Sequence, residues 1–407
     1  MSKIFFSLFL FLLLIFIILF SINIFYEMPL SSAINNDSRL RYLKELIIPK
    51  KDKKVVYGFL PYWNLRATKI EKELTHLAYF GLNIQADGEI MIKNSDGSLD
   101  PGYRNMNEDI FLELATQMQA QNGQVELVLK QFDADEIRAF LTNEKAHLTF
   151  LQSLDSLLLA YPIGGINIDI EYAGENSQDL REHFLTFLRK LDWYLDSKYP
   201  NISLSIDVYA SAASNQQSIW DLEKLSQYLD YVIVMAYDFH QRSSEQAGPV
   251  APLFSESNSW NKDINQHLKQ FFTLIPREKI LLGIPFYGYG WRTDSNQPKA
   301  NTYQDTGFTV SYKKAKELLN LAAGQQQKDS SWPGASKIQS GFDENALSPY
   351  LSYQQDGEQY LIYYEDPISI AYKLEYARQL NLAGIAIWAL GYEDADGTLW
   401  QAIKNGI

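Results

Sequence analysis

Residues 164–172 read GGINIDIEY, a run in which polar side chains alternate with isoleucines. In a strand, Asn167, Asp169 and Glu171 therefore fall on one face, and the three isoleucines fall on the other. Inside a closed parallel barrel the polar face points inward, and the isoleucine face packs against surrounding helices. Active sites of that fold lie at the carboxyl ends of the strands, which is where this run places Glu171.

Seven more short β-rich apolar runs occur along the chain, with helical patterns between them. This alternation is expected of a parallel sheet with helical crossovers, and residues 179–197 show the apolar spacing of such a helix. Eight strands predict an α/β fold, the (β/α)8 or TIM barrel. A doubly wound open sheet is the competitor, but Gly58 stands alone where that fold carries GxGxxG. The runs are 55–59, 76–80, 125–129, 165–170, 202–208, 231–235, 280–284 and 384–388.

The predicted barrel domain, residues 54–407, is long for this fold, so insertions are expected. Residues 81–100 carry an Ala86-Asp87-Gly88 turn between short alternating runs, which predicts a hairpin. Residues 292–362 form a second extra segment, a small insertion between the seventh and eighth strands.

Residues 4–25 are apolar apart from Ser7, Ser21 and Asn23, and as a helix they would be about 33 Å long. They predict that residues 1–26 form an uncleaved transmembrane anchor. A cleaved signal peptide, which would make the protein secreted, has less support because no convincing A-x-A site follows. Lys3 before the segment predicts the amino terminus inside and the barrel domain outside. Residues 27–53 are polar and read as a tether.

The composition, 46% hydrophobic and 21% charged over 407 residues, excludes an intrinsically disordered chain. The net charge of -13 argues against nucleic acid or an anionic lipid surface as a partner. The absence of cysteine excludes disulfides and thiol nucleophiles, and the five histidines show neither HxH nor HExxH spacing. We therefore expect no metal and no cofactor.

Asp169 and Glu171 lie on the same strand face, about 7 Å apart along the strand, so their carboxyl groups can approach each other. Like charge and partial burial should then raise one pKa, and Glu171, nearest the rim, is suited to act as a general acid near neutral pH. Ordinary strand-end acids that are solvated or paired with Lys or Arg have the same pattern. The spacing alone leaves both interpretations open.

The 164–172 run resembles the DGxDxDxE signature of glycoside hydrolase family 18, the chitinase-like (β/α)8 hydrolases. Asp169 and Glu171 match the final Asp-x-Glu, whereas Gly164 replaces the leading Asp and Asn167 replaces the first inward acid. With an Asn at this position, the sequence resembles the branch of the family that contains spore-cortex and peptidoglycan-directed N-acetylglucosaminidases.

Further motifs extend the resemblance over residues 55 to 407. The family's SxGG on strand three is missing, because Leu129-Lys130-Gln131-Phe132 occupies that region. Taken singly, the matching aromatic residues also fit a role in the core, and Trp63, Tyr289 and Trp291 either stack sugars or close loops. The matches are Met235-Ala236-Tyr237-Asp238 to MxYD, residues 283–288 to GxPFYG, Trp388 to the strand-eight tryptophan, and 56–59 with Tyr62-Trp63 to the opening strand.

The resemblance implies a retaining, substrate-assisted mechanism. Glu171 would protonate the glycosidic oxygen, the 2-acetamido carbonyl of the substrate would attack the anomeric carbon, and Asp169 would stabilise the resulting oxazolinium. Tyr237 would hold the acetamido oxygen, and Asn167 would orient Asp169. The remaining implied sugar-binding residues are Met235, Asp238, Tyr287 and Trp388.

These features favour a membrane-anchored hydrolase of β-1,4-linked N-acetylglucosamine polymers, with peptidoglycan ahead of chitin because of Asn167. A non-catalytic chitin- or peptidoglycan-binding lectin on the same fold stays open because of Gly164, Asn167 and strand three, although the presence of Glu171 argues against it. A third alternative is a metal-dependent barrel enzyme, which would lose activity on chelation, but no residue spacing indicates a metal site.

Overall fold

The computed structural model describes residues 54–174, 177–255, 260–325 and 330–407. The predicted anchor and tether, residues 1–53, lie outside these ranges. Among the residues described, no helix is both long and apolar enough to cross a membrane.

Eight parallel strands close a barrel, as predicted. The first strand pairs with the second through Tyr57 and His76 and with the last through Val55 and Gly384, which excludes the open-sheet alternative. Every predicted run is a barrel strand, and the largest difference is a second strand that continues beyond residue 80 to Asn83. The strands are β1 (Val55–Pro61), β2 (His76–Asn83), β3 (Gln124–Gln131), β4 (Gly165–Ile170), β5 (Ser203–Tyr209), β6 (Tyr231–Met235), β7 (Ile280–Pro285) and, after β8 to β12 described below, β13 (Gly384–Trp388).

Helices pack on the outside of the barrel. The predicted helix at 179–197 is α5 (Arg181–Lys198), which buries Phe184, Leu188, Leu191 and Leu195 at helical spacing after a 3-10 turn at Ser177–Leu180. The others are α1 (Pro101–Met106), α2 (Asp109–Ala120), α3 (Ala134–Thr142), α4 (Glu144–Ala160), α6 (Leu222–Leu225), α7 (Ile264–Phe271), α8 (Tyr312–Ala322), α9 (Pro367–Gln379) and α10 (Thr398–Gly406).

The second extra segment forms an antiparallel sheet. This sheet begins at Tyr287, before residue 292 of the predicted insertion, because only Phe286 separates it from β7. Its spatial order is β10-β11-β12-β8-β9. Its strands are β8 (Tyr287–Arg292), β9 (Phe308–Ser311), β10 (Ser336–Asp343), β11 (Ser348–Gln355) and β12 (Glu358–Tyr363).

The first extra segment, 81–100, contains two isolated antiparallel bridges, Ile84 to Ile90 and Lys93 to Leu99, in place of a regular hairpin. Its turn passes through Gly88 at φ +88°, where an added Cβ would lie 1.9 Å from the Ala146 carbonyl oxygen on α4. Only glycine fits both this conformation and this approach of the two backbones.

The interior of the barrel has an apolar half and a polar half. Tyr57, Phe59, Phe80 and Leu281 belong to a buried cluster supplied largely by β1, β2, β7 and β13. On β3, β4 and β5 the inward positions instead carry Glu126, Asn167, Asp169, Ser205 and Asp207, all buried. The fold therefore concentrates acidic groups on one side of a closed core.

Candidate active site

The inward face of β4 forms the centre of the site. Asn167 is 0% exposed and Asp169 is 4% exposed, while the intervening isoleucines are fully buried on the outer face. Glu171 follows the strand, and its backbone N–H donates to the Gln131 carbonyl at the end of β3 (3.1 Å). The alternation in the sequence therefore produced the predicted division between the two faces.

Burial raises the pKa of both carboxyl groups. The negative charges of Asp207 and Glu171 add to the rise for Asp169, whereas Lys130 opposes it. The pKa of Glu171 is raised by burial and by Asp238, against a hydrogen bond with Tyr209 that lowers it. A raised pKa keeps Glu171 protonated to higher pH, which is the state that a general acid needs.

The Asn167 amide does not point its N–H groups at Asp169. Nδ2 donates to Ser205 Oγ (3.0 Å) and to Asp207 Oδ1 (3.1 Å), so both hydrogens are used on β5. Asn167 was expected to orient Asp169, but the structure shows no hydrogen bond from its amide to that residue. Asp169 Oδ1 is buried and accepts no hydrogen bond from any residue the structure describes.

The segment after β6 brings Tyr237 and Asp238 to the same end of the barrel, beyond Met235 at the end of that strand. Burial and then the charges of Asp207, Asp238, Asp169 and Glu171 raise the pKa of Tyr237, which therefore lies among these acids. Room for its ring comes from β7, because a Cβ on Gly283 would lie 3.0 Å from Tyr237 Cε1.

Asp238 joins the barrel to the insertion sheet. Its Oδ1 accepts hydrogen bonds from the hydroxyl groups of Tyr287 and Tyr289, the latter at 3.0 Å. The Tyr287 ring packs edge-on against Tyr237, with 6.2 Å between centroids. Burial raises the pKa of Asp238, and the two tyrosine hydrogen bonds oppose that rise.

Aromatic rings form the opposite wall. Trp388, at the end of β13, packs against Phe80 with 4.8 Å between centroids. Trp63 and Phe132, 50% and 45% exposed, flank Phe80, so both side chains are partly exposed to solvent. Trp291 is instead fully buried, and its indole N–H donates to the Gln241 carbonyl (3.1 Å), so it closes a loop.

Sequence reasoning missed two residues of this site. Asp207 lies in a predicted strand with inward Ser203, Ser205 and Asp207, and this alternation is the signal that could have identified it. Lys130 is opposite Asp169 in the β3–β4 register.

The Lys130 ammonium donates to Asn83 Oδ1 (2.6 Å) and lies 5.3 and 5.1 Å from the ring centroids of Phe80 and Phe132. Lys130 thus places a cation between the aromatic wall and the acids. In the described part of the chain, no cluster of three or more His, Cys, Asp or Glu is arranged to hold a metal ion.

A closed parallel barrel with buried carboxyl groups, a tyrosine and a tryptophan at the carboxyl ends of its strands has the construction of a glycoside hydrolase. The chain belongs to the glycosyl hydrolases family 18, whose sequence model matches residues 51–393.

Related proteins include bacterial and eukaryotic members of the family. The glycosylase YvbX of Bacillus subtilis is 27% identical over 278 residues, which cover 68% of this chain and 70% of YvbX. A cortical fragment-lytic enzyme of Bacillus anthracis is 24% identical over 361 residues, covering 86% of this chain and 71% of that enzyme. The expected similarity to a spore-cortex branch is thereby confirmed.

Solved structures share the fold. A family 18 N-acetylglucosaminidase from Paenibacillus barengoltzii is 22% identical, with a TM-score of 0.66, covering 87% of this chain and 100% of that one. A chitinase from Cycas revoluta in complex with (GlcNAc)4 is 21% identical, with a TM-score of 0.70, covering 86% of this chain and 99% of that one.

Proposed function

We propose that this glycoside hydrolase cleaves β-1,4 bonds in polymers containing N-acetylglucosamine by a retaining, substrate-assisted mechanism. The observation that carries the proposal is the convergence of Asp169 and Glu171 from β4 and Tyr237 from β6, on either side of β5, at the carboxyl end of the barrel. The (GlcNAc)4 bound to the Cycas revoluta chitinase supports the choice of sugar.

In the proposed reaction, Glu171 donates its proton to the glycosidic oxygen as the leaving sugar departs. The carbonyl oxygen of the substrate's own 2-acetamido group attacks the anomeric carbon and forms an oxazolinium ion. Asp169, as a carboxylate, accepts a hydrogen bond from the N–H of that ion, and the Tyr237 hydroxyl holds the acetamido oxygen. Trp388 supplies an apolar floor for the sugar ring, and Glu171 then acts as the base that activates water.

The test is hydrolysis of N-acetylglucosamine oligomers by the purified protein, with cellulose oligomers compared at equal concentration. Glu171→Gln should lower kcat by about 10²–10⁴-fold because the general acid is lost. Glu182→Gln, a matched change at an exposed ion pair with Lys224, should leave the rate unaltered. Oligomer binding without shortened products would support the lectin alternative, and equal turnover of cellulose would exclude acetamido participation.

Within this substrate class we place peptidoglycan ahead of chitin. The support is Asn167 together with the similarity to the cortical fragment-lytic enzyme. Soluble peptidoglycan fragments should therefore have a higher kcat/KM than chitin oligomers of the same length. The opposite order would identify chitin as the preferred polymer.

We also propose that residues 4–25 anchor the protein in a membrane, with the catalytic domain on the outer side. Protease added to intact cells that express the full chain should then degrade the domain, whereas a cytoplasmic control protein survives. A domain that is protected until the cells are lysed would reverse this topology.

A further inference from the structure

Asp169 and Asp207 are neighbours on adjacent strands. The β4–β5 register pairs Asn167 with Ser205 and Ile168 with Ile206, and the next residue on each strand is an aspartate. Adjacent strands are about 4.8 Å apart, so the two carboxyl groups are within reach of one another. Both residues are buried, at 4% and 2% exposure. Two such groups at this separation do not readily ionise together.

The pKa shifts agree with this geometry. Burial raises the pKa of Asp169, and the charge of Asp207 raises it further. Burial likewise raises the pKa of Asp207, while the hydrogen bond from Asn167 opposes the rise. A coupled pair of this kind holds one proton over a wide pH range.

The hydrogen bonds indicate which oxygens share the proton. Asn167 donates to Asp207 Oδ1, and this amide is fixed in turn because it also donates to Ser205, whose hydroxyl donates to Glu126 (3.1 Å). One oxygen of Asp207 is thereby committed as an acceptor, so its proton belongs on the other. Asp169 Oδ1 is a buried acceptor with no donor among the described residues.

We propose that Asp207 is a positioning residue that holds the proton of this pair and donates it as a hydrogen bond to Asp169. The pair then carries one negative charge, and that charge stays on Asp169. The inference rests on the proposed function, in which Asp169 must be a carboxylate when the oxazolinium ion forms. No proton leaves Asp207: it is shared with Asp169 as a hydrogen bond, so the charge of the pair is unchanged. Asp207 thus supplies from β5 the second carboxyl that Asn167 cannot supply from β4.

The other groups around the pair are mostly acids and tyrosines, which favour retention of the proton. Lys130 is the cation that lowers the pKa of Asp169. The titratable groups that face the pair from each neighbouring element are Tyr57 on β1, Glu126 and Lys130 on β3, Glu171 after β4, Tyr209 on β5 and Tyr237 after β6.

Two substitutions of Asp207 distinguish a role as hydrogen-bond donor from a role in packing alone. Asp207→Asn keeps a donor and the neutral state, so kcat should stay within a few-fold of wild type and the acid limb of its pH profile should not move. Asp207→Leu removes the donor. Its kcat at neutral pH should fall about 10–100-fold, and the acid limb should move to higher pH, because the Asp169 carboxylate loses a hydrogen bond.

Wild-type rate and acid limb in Asp207→Leu would overturn the proposal, and so would an Asp207→Asn variant that falls as far as the Leu variant. Thermal unfolding of both variants checks folding, and if Asp207→Leu does not fold, Asp207→Ala takes its place with the same expected outcomes.

A second measurement needs no turnover. Infrared spectra at neutral pH of protein with isotope-labelled aspartate should show a protonated carboxyl band that is absent from Asp207→Asn. In Asp169→Asn the band should persist at a shifted frequency, because buried Asp207 keeps its proton and donates it to an amide oxygen in place of a carboxylate. Persistence of the whole band in Asp207→Asn, or an unshifted band in Asp169→Asn, would overturn the proton assignment. If the wild type shows this band but cleaves no N-acetylglucosamine polymer, the proposed function fails while the proton assignment stands.

Discussion

Asp238 shows how a single residue joins two parts of the fold. Its backbone has φ +62°, a left-handed conformation in which aspartate is several-fold enriched among the non-glycine residues. Asp238 is the last residue of the MxYD segment, and its side chain accepts hydrogen bonds from the hydroxyl groups of Tyr287 and Tyr289 on β8. The insertion sheet is thereby tied to the barrel within reach of Tyr237.

Tyr287→Phe should weaken substrate binding. The change removes a donor from a buried carboxylate, so the pKa of Asp238 should rise further and its charge should become harder to maintain. A hydrogen bond to a charged group of this kind corresponds to about a 10-fold change, which we expect mainly in KM for N-acetylglucosamine oligomers.

Tyr312→Phe is the matched control, since the Tyr312 hydroxyl forms a hydrogen bond with Thr398 and not with Asp238. Equal KM values in Tyr287→Phe and the wild type would show that Asp238 does not depend on this donor.

At the scale of elements, the sequence predicted the positions of the strands better than the contacts between neighbouring strands. The alternation in 164–172 was sufficient to orient the β4 side chains, and all eight runs are strands of the barrel. The alternation could not predict that Asn167 donates a hydrogen bond to Asp207, because that contact depends on the register between β4 and β5. The insertion was predicted at about 292–362, whereas its sheet begins at Tyr287, because β8 follows β7 with one residue between them.

Strand β7 contributes space to the site, so Gly283→Ala should lower kcat. The added Cβ would lie 2.5 Å from the Val234 carbonyl oxygen and 3.0 Å from the Tyr237 ring. Because the first contact is backbone, either β6 or Tyr237 has to shift, and a misplaced catalytic group typically costs about 10²-fold.

Gly164→Ala is the control, because its Cβ would have no neighbour closer than 3.8 Å. A Gly283→Ala enzyme as active as Gly164→Ala would show that the position of Tyr237 tolerates this shift.

Over the whole molecule, the polar half of the barrel makes stability depend on pH. Buried carboxyl groups extend from the catalytic end down to Glu126, which accepts hydrogen bonds from Tyr57, Ser203 and Ser205. Burial raises the pKa of Glu126 to about 7, above the 4.5 of an exposed glutamate. Between these values the folded state binds more protons than the unfolded state, so rising pH favours unfolding.

The stabilising contribution of Glu126 is therefore complete below about pH 4.5 and is lost as the pH rises through about 7. One proton corresponds to about 1.4 kcal/mol per pH unit, so the Glu126 contribution to the free energy of unfolding should decline over this window. Below about pH 6.5 the decline is opposed by His76 and His147, because burial lowers the pKa of each to about 4. In Glu126→Gln the decline should be shallower, and the slope that remains belongs to the other groups with shifted pKa values, Asp169, Asp207 and Glu171 among them. Denaturant unfolding measured at several pH values from 5 to 8 checks this, and parallel curves for the two proteins would mean that Glu126 is ionised throughout.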